Sequence, residues 1–598
     1  MRRVGIFAAL LTVSAATAHT AAALTFQPCG RPDGIVCATV TVPVARDGAL
    51  PVSIDLYVEK EAAKSQPSQG ALIALSGGPG ESATFSTTSF ASRLAPGLAS
   101  HDLIVFDQRG TGSSGFLTCS ASFINAGDWT SCANEVGPRR AYYATRDSVD
   151  DIEAVRQALG VNRISLFGIS YGTKVALNYA QRYPTHVESL VLDSVVAPDG
   201  FDFYNRNNYS AIAPILHELC SAGCPGVPDP VGDLARLAAA AQNGFSVSAI
   251  VSNGSIATAK LPEAAFFRLF EYGMESEVFR SRFPGAVHAA LAGDRFPLGR
   301  LWLEINAANT LGGQRSATGP QFEYSTVLNH ATVCEDTAPP WFRQTPVSQR
   351  RQRLASELQA IGNAAFAPFD ALAPSQSSPA AACLLWPLGL SAPVITGTMP
   401  DVPVLVLSGL VDDNTPPDDA RKVAALFPHA SLVLVPDSGH GVTHFRGASG
   451  GCVKERIAQF YAGQQVGSCP AIRPSIAVLP PPARSLAAVG PARHVAGKRG
   501  RTLAAVIETV NDAYYTTYTA GPYTGLRGGT FTVNADFSVL TLRRMSWVPG
   551  VVVSGVVDGT TGLGTFTVTG TGNHGTVVFG PKRAVTGTLD GKRVATSR

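Results

Sequence analysis

The stretch Ile164-Ser165-Leu166-Phe167-Gly168-Ile169-Ser170-Tyr171-Gly172-Thr173 decides how the rest of this chain is read. Its first four residues predict a short strand buried on both faces, and Thr173–Tyr183 continues with helical spacing. Between them stands the pattern G-x-S-x-G, from Gly168 to Gly172. A serine on so sharp a strand-to-helix turn has a strained backbone that lifts its hydroxyl above the sheet, so its close neighbours must be small. A strand before and a helix after separate this pattern from an ordinary Gly-rich turn.

Similar apolar runs lie on either side. Ala71–Leu75 leads into Gly77-Gly78-Pro79-Gly80, and Leu103–Phe106 into Asp107-Gln108-Arg109-Gly110. Leu190–Leu192, Val404–Leu407 and Leu432–Val435 follow. Asp147–Leu159 places Val149, Ile152, Val155 and Leu159 at helical spacing. Continuous apolar runs alternating with helices predict an α/β fold with a mostly parallel sheet. Between residues 198 and 393 the rhythm changes to helical segments such as Pro262–Tyr272 and Val347–Ile361, which reads as a cap inserted between core parts 24–197 and 394–469. Residues 470–501, rich in Pro, Ala and Arg, read as a linker. A helix over Thr502–Tyr515 and the runs Thr530–Val533, Ser538–Arg543, Val551–Val557, Gly564–Val568 and Thr576–Phe579 predict a small antiparallel β-rich unit over 502–598. No chemical motif falls in it, and on this reading residues 484–598 are separable from the rest.

A serine nucleophile needs donors for the oxyanion and a base with an orienting acid. The N–H of Tyr171 is one donor. Gly78 is the other candidate, because Pro79 has no N–H and a residue without a side chain admits the substrate oxygen. His440, between Gly439 and Gly441 just past a strand, is the candidate base, with His444 its nearest rival. Asp412 and Asp413 follow an earlier strand and either can hold the imidazole; Asp412 is preferred, and Asp193 is a structural rival. Gly110-Thr111-Gly112-Ser113-Ser114-Gly115 matches a dinucleotide fingerprint, yet no convincing helix opens after it. It reads as a structural loop near the site.

Composition narrows the rest. The 598 residues are 45% hydrophobic and 15% charged with a formal net charge of +3, which gives no concentrated basic surface for nucleic acid. Met1-Arg2-Arg3, the apolar stretch Val4–Ala18 and the small-residue sites Ala16-Thr17-Ala18 and Ala21-Ala22-Ala23 predict a signal peptide over 1–23, hence a secreted or periplasmic protein. No later run is long enough to span a membrane. Ten cysteines in an exported chain predict disulfides, paired in sequence as Cys29/Cys37, Cys119/Cys132, Cys220/Cys224, Cys334/Cys383 and Cys452/Cys469. With no C-x-x-C and no H-E-x-x-H, neither a metal nor an organic cofactor is expected. Oligomeric state is not legible.

Together, Gly77-Gly78-Pro79-Gly80, Asp107-Gln108-Arg109-Gly110-Thr111-Gly112, Gly168-Ile169-Ser170-Tyr171-Gly172-Thr173 and Gly439-His440-Gly441 resemble the proline iminopeptidase and tripeptidyl aminopeptidase group of α/β-hydrolases, its exported tripeptidyl branch above all. Tyr143-Ala144-Thr145, Cys334-Glu335-Asp336 and Cys383-Leu384-Leu385-Trp386-Pro387 support this. The resemblance covers roughly Cys29 to Cys469. It implies Asp412 as catalytic acid, followed by Thr415-Pro416, and a peptide or small acyl substrate. It departs at Glu81 and Ala83, where small residues are usual, and at Asp413, where proline is common. An aminopeptidase also has to bind a free ammonium, and Glu335 and Asp336 are the candidates. An esterase or amidase with the same triad is the alternative; a catalytically dead binding protein is a third.

Overall fold

The computed structural model describes residues 24–31, 34–314, 323–337, 339, 341, 343–389, 395–444, 447–471, 476–517, 523–571 and 573–597. The expected signal peptide lies outside them.

The main sheet has nine strands. In chain order they are β1 (Gln27–Pro28), β2 (Val36–Pro43), β3 (Ser53–Glu61), β4 (Gly70–Leu75), β5 (His101–Phe106), β6 (Ile164–Ile169) and β7 (Val187–Asp193), then β10 (Val404–Gly409) and β11 (Ala430–Val435) after the inserted segment, which carries the hairpin β8 (Phe245–Ile250) and β9 (Ile256–Leu261). Across the sheet the order is β1-β2-β3-β5-β4-β6-β7-β10-β11. From β5 to β11 all pairs are parallel, whereas β1, β2 and β3 add an antiparallel edge. The six residues of β6 are all buried, as a strand covered on both faces requires. This is the predicted α/β architecture, and the turns singled out in the sequence all leave the carboxyl ends of parallel strands, where such sheets bind ligands.

The connecting helix runs over Thr145–Leu159 and the one after the serine over Tyr171–Arg182, each within two residues of expectation. Between β7 and β10 the chain is mostly helical, including Glu263–Gly273 and Val347–Ile361 as read from the sequence. The β8–β9 hairpin is an addition, as are β1 to β3.

The C-terminal sheet has seven antiparallel strands, β12 (Gly528–Val533), β13 (Val539–Ser546), β14 (Val552–Asp558), β15 (Gly564–Thr569), β16 (Gly575–Phe579), β17 (Ala584–Leu589) and β18 (Lys592–Ser597), in simple up-and-down order. A helix over Gly497–Thr516, starting five residues earlier than predicted, buries Leu503, Val506 and Val510 with Phe566, Val577 and Val585 in a core of its own.

The Pro-rich stretch before it is not free. Leu479 N–H donates to Ser281 O at 2.7 Å, and Arg484 donates to Ala292 O at 2.9 Å. Buried Arg300 of the inserted segment bonds Thr516 Oγ1 at 2.5 Å and pairs with Asp512 at 3.4 Å, while Arg527 pairs with Asp294. Removing residues 484–598 would take Asp512 and Thr516 from buried Arg300, leaving it Glu304. All ten cysteines form the five sequential disulfides.

Candidate active site

Ser170 has φ 54° and ψ −126°, a conformation that costs an L-residue energy and persists only where the surroundings fix it. Two glycines allow this. A Cβ on Gly168 would lie 2.5 Å from Gly172 O, and one on Gly172 would lie 2.5 Å from Leu75 O. Tyr171 is the first residue of the following helix, where a backbone N–H has no intrahelical acceptor. The loop after β4 lies beside the serine: a Cβ on Gly77 would be 3.1 Å from Ser170 Cβ. Gly78 adopts φ 103°, and its N–H has no partner among the described residues. Gly77 N–H is already given to Glu81 Oε2 at 3.1 Å.

The Asp412 carboxylate, fully buried, meets His440 Nδ1 at 3.0 Å and is steadied by Thr415 N–H at 3.0 Å and Thr415 Oγ1 at 2.8 Å. Burial alone would lower the His440 pKa. Asp412, by charge and hydrogen bond, outweighs it with help from Glu275 and Asp193, holding the imidazole up at about 9. His444 has no carboxylate partner among the described residues; desolvation and the nearby Arg93 and His440 push it down to about 4.

Asp413 is as buried as Asp412, and neither of its carboxylate oxygens has a hydrogen-bond partner among the described residues. Burial, with the nearby charges of Glu271 and Asp412, raises it well above the usual carboxylate range. Asp193 is engaged elsewhere: its carboxylate accepts from Val442 N, Thr443 N and Thr443 Oγ1 at 3.0, 2.9 and 2.7 Å.

Glu335 and Asp336 are each already paired with a cation of the protein. Glu335 is 1% exposed and ion-paired with Arg343, and it also accepts from Gly389 N–H at 2.8 Å. Asp336 holds Lys174 at 2.6 Å and the N–H and hydroxyl of Thr145. Asp336 thus joins the inserted segment to the core, whereas Glu335 ties the inserted segment to itself.

Other carboxylates face the site. Glu81 accepts from Ser76 Oγ and Gly77 N–H, so it stands one residue from the candidate oxyanion donor. Glu275 accepts from Asn414 at 2.5 Å. A Cβ on Gly439 would lie 3.3 Å from Glu275 Cα, which places this part of the inserted segment against the histidine loop. Buried Arg280 fixes that contact by donating to Met274 O and Asp437 O at 2.6 and 3.1 Å. Desolvation raises Glu275, partly offset by His440, and brings Glu271 to about 7. Neither Glu81 nor Glu275 forms an ion pair among the described residues. Sequence reading missed both. No local pattern marked Glu275, which lies in the turn after the Glu263–Gly273 helix and meets the histidine loop only in the fold.

The dinucleotide-like loop is structural. Asp107 accepts from Ser82 Oγ, Thr84 N, Thr84 Oγ1 and Ser113 N, and Arg109 makes a two-point pair with Asp151 at 2.6 Å.

Two family models match this frame: one described as the alpha/beta hydrolase fold over residues 70–213, the other as TAP-like protein over 368–469. The chain has the α/β-hydrolase fold. The chain is 30% identical over 186 residues to putative hydrolase YuaR of Escherichia coli, covering 28% of this chain and 37% of that protein. It is 29% identical over 195 residues to a tripeptidyl aminopeptidase of Streptomyces coelicolor, covering 28% and 36%. To a proline iminopeptidase of Xylella fastidiosa it is 32% identical over 175 residues, covering 25% and 45%. The likeness to that peptidase group stands on both models and these relatives, of which the chain spans less than half.

Proposed function

We propose that the hydrolase is an exported serine aminopeptidase releasing short peptides or single residues from free peptide N-termini. Ser170 is the nucleophile. His440 takes its proton as the hydroxyl attacks the carbonyl, and the N–H groups of Tyr171 and Gly78 receive the oxyanion. Asp412 holds the imidazole tautomer and stabilises the imidazolium. His440 then protonates the leaving amine, and water hydrolyses the acyl-enzyme. Five disulfides and the basic-apolar segment at 1–23 support export.

The observation that carries the peptidase reading is the pair Glu81 and Glu275, two carboxylates beside Ser170 and His440 that form no salt bridge with a lysine or arginine among the described residues. An incoming ammonium supplies the missing charge, and Glu271 deepens the field. The test is kcat/KM for a tripeptidyl amide with a free N-terminus against its acetylated twin. Acetylation removes the charge, and loss of a partnered charge in a partly desolvated site slows hydrolysis by roughly a hundredfold. Equal rates would replace the aminopeptidase with an esterase or amidase using the same triad.

A further inference from the structure

We propose that Asp193 is a positioning residue that fixes Ser170 and His440 relative to each other; this rests on the serine-hydrolase reading above. Asp193 ends β7 between two strands that carry the site, in register with Ile169 of β6 and Leu407 of β10. Its peptide oxygen accepts the N–H of Ser170 at 2.9 Å. Its carboxylate reaches the other way, to the N–H groups of Val442 and Thr443 and the Thr443 hydroxyl. Ser194, held at φ 56°, completes the clasp by accepting Gly441 N–H at 2.7 Å and donating to Asp193 at 3.2 Å. The three N–H groups that follow His440 are thus all held by two residues, one of which also holds the elbow.

The chemistry of the clasp is asymmetric in a telling way. The Asp193 side chain is wholly buried and forms no salt bridge among the described residues, so its charge is sustained chiefly by these donors, with His440 and Arg93 at longer range. Burying an unpaired anion is costly, and charge-assisted bonds from backbone N–H groups are what offset it. A neutral side chain would hold a loop at less cost; an anion holds it more rigidly and also favours the imidazolium. Asp412 governs rotation of the ring through Nδ1, whereas Asp193 governs where the backbone carrying the ring stands. Misplacing a reacting group by about 1 Å costs on the order of a hundredfold in rate.

Asp193→Asn is the test, with kcat, KM and the pH profile measured on protein titrated by fluorophosphonate labelling. The charged and titratable groups around His440 are Asp412, Asp193, Glu275 and His444, with Arg93 beyond them. Losing one of three anions lowers the imidazole pKa, so the acid limb of kcat/KM moves to lower pH while kcat falls roughly a hundredfold and KM stays within about threefold. A folded Asp193→Asn enzyme with kcat near wild type and an unmoved acid limb overturns the proposal. Should that variant not fold, Ser194→Gly decides: it keeps the left-handed backbone and loses the Gly441 acceptor. A kcat reduced about tenfold supports the clasp, and an unchanged kcat overturns it. Failure of the underlying reading looks different, because Ser170→Ala would then keep its rate and wild-type Ser170 would not be labelled.

Discussion

Asp412 and Asp413 are neighbours in the chain and opposites in environment: the first meets His440 at 3.0 Å and Thr415 at two points, the second buries a carboxylate with no hydrogen-bond partner. Asp412→Asn is expected to reduce kcat by about a thousandfold or more, since an amide favours the wrong imidazole tautomer. Asp413→Asn should leave kcat within about tenfold. Comparable losses in steady-state kinetics would reverse the assignment.

Stability should separate the same pair. Asp413 has a folded-state pKa raised well above 3.8, so the folded protein binds the extra proton and loses stability as pH rises above that value. Asp413→Asn removes the titration. Its melting temperature relative to wild type should therefore climb between pH 4 and 7, as thermal unfolding across that range will show.

The acid limb of activity should sit high. Only neutral imidazole accepts the serine proton, and His440 is held at about 9, so kcat/KM should rise through neutrality toward that value instead of levelling above 6.5. The same shift stabilises the folded state below the unfolded-state pKa, and that contribution is lost as pH rises through about 9. A profile flat between pH 6 and 9 contradicts this.

Glu275→Gln should raise KM for a free-amine tripeptidyl amide about tenfold or more and leave the acetylated twin unaffected. Equal effects on both substrates would mean that Glu275 supports the histidine loop and does not bind the ammonium.

Deleting residues 484–598 should destabilise the remainder, because Arg300 is 3% exposed and loses Asp512 and Thr516. Breaking a buried charge pair by removing one partner typically costs about 3–5 kcal/mol, though Glu304 remains here to share the charge. Soluble yield and the denaturation midpoint report it. An unchanged midpoint would restore the view of a detachable unit.

Legibility followed locality. The elbow at Ser170 was readable because Gly168 and Gly172 are required by contacts within the motif and the adjoining strand end. β10 and β11 announced themselves as continuous apolar runs, and the loops after them carried Asp412 and His440. β2 reads Val-Cys-Ala-Thr-Val-Thr-Val-Pro, a half-exposed alternation, and escaped a search for continuous runs. β17 and β18, built from Thr, Gly and Ala with charged residues at the tip, escaped for the same reason. Glu275 was invisible because its meaning comes from Gly439, more than a hundred and fifty residues later. Acidity at Glu335 and Asp336 did not reveal that Arg343 and Lys174 already use both carboxylates.

The five disulfides join cysteines in strict order of appearance, with separations from 4 to 49 residues. Under the proposed export, a chain threaded amino end first would present each cysteine's partner before the next pair emerges. An oxidant acting on whatever thiols are newly exposed gives native pairing at every step, with no wrong bond to undo.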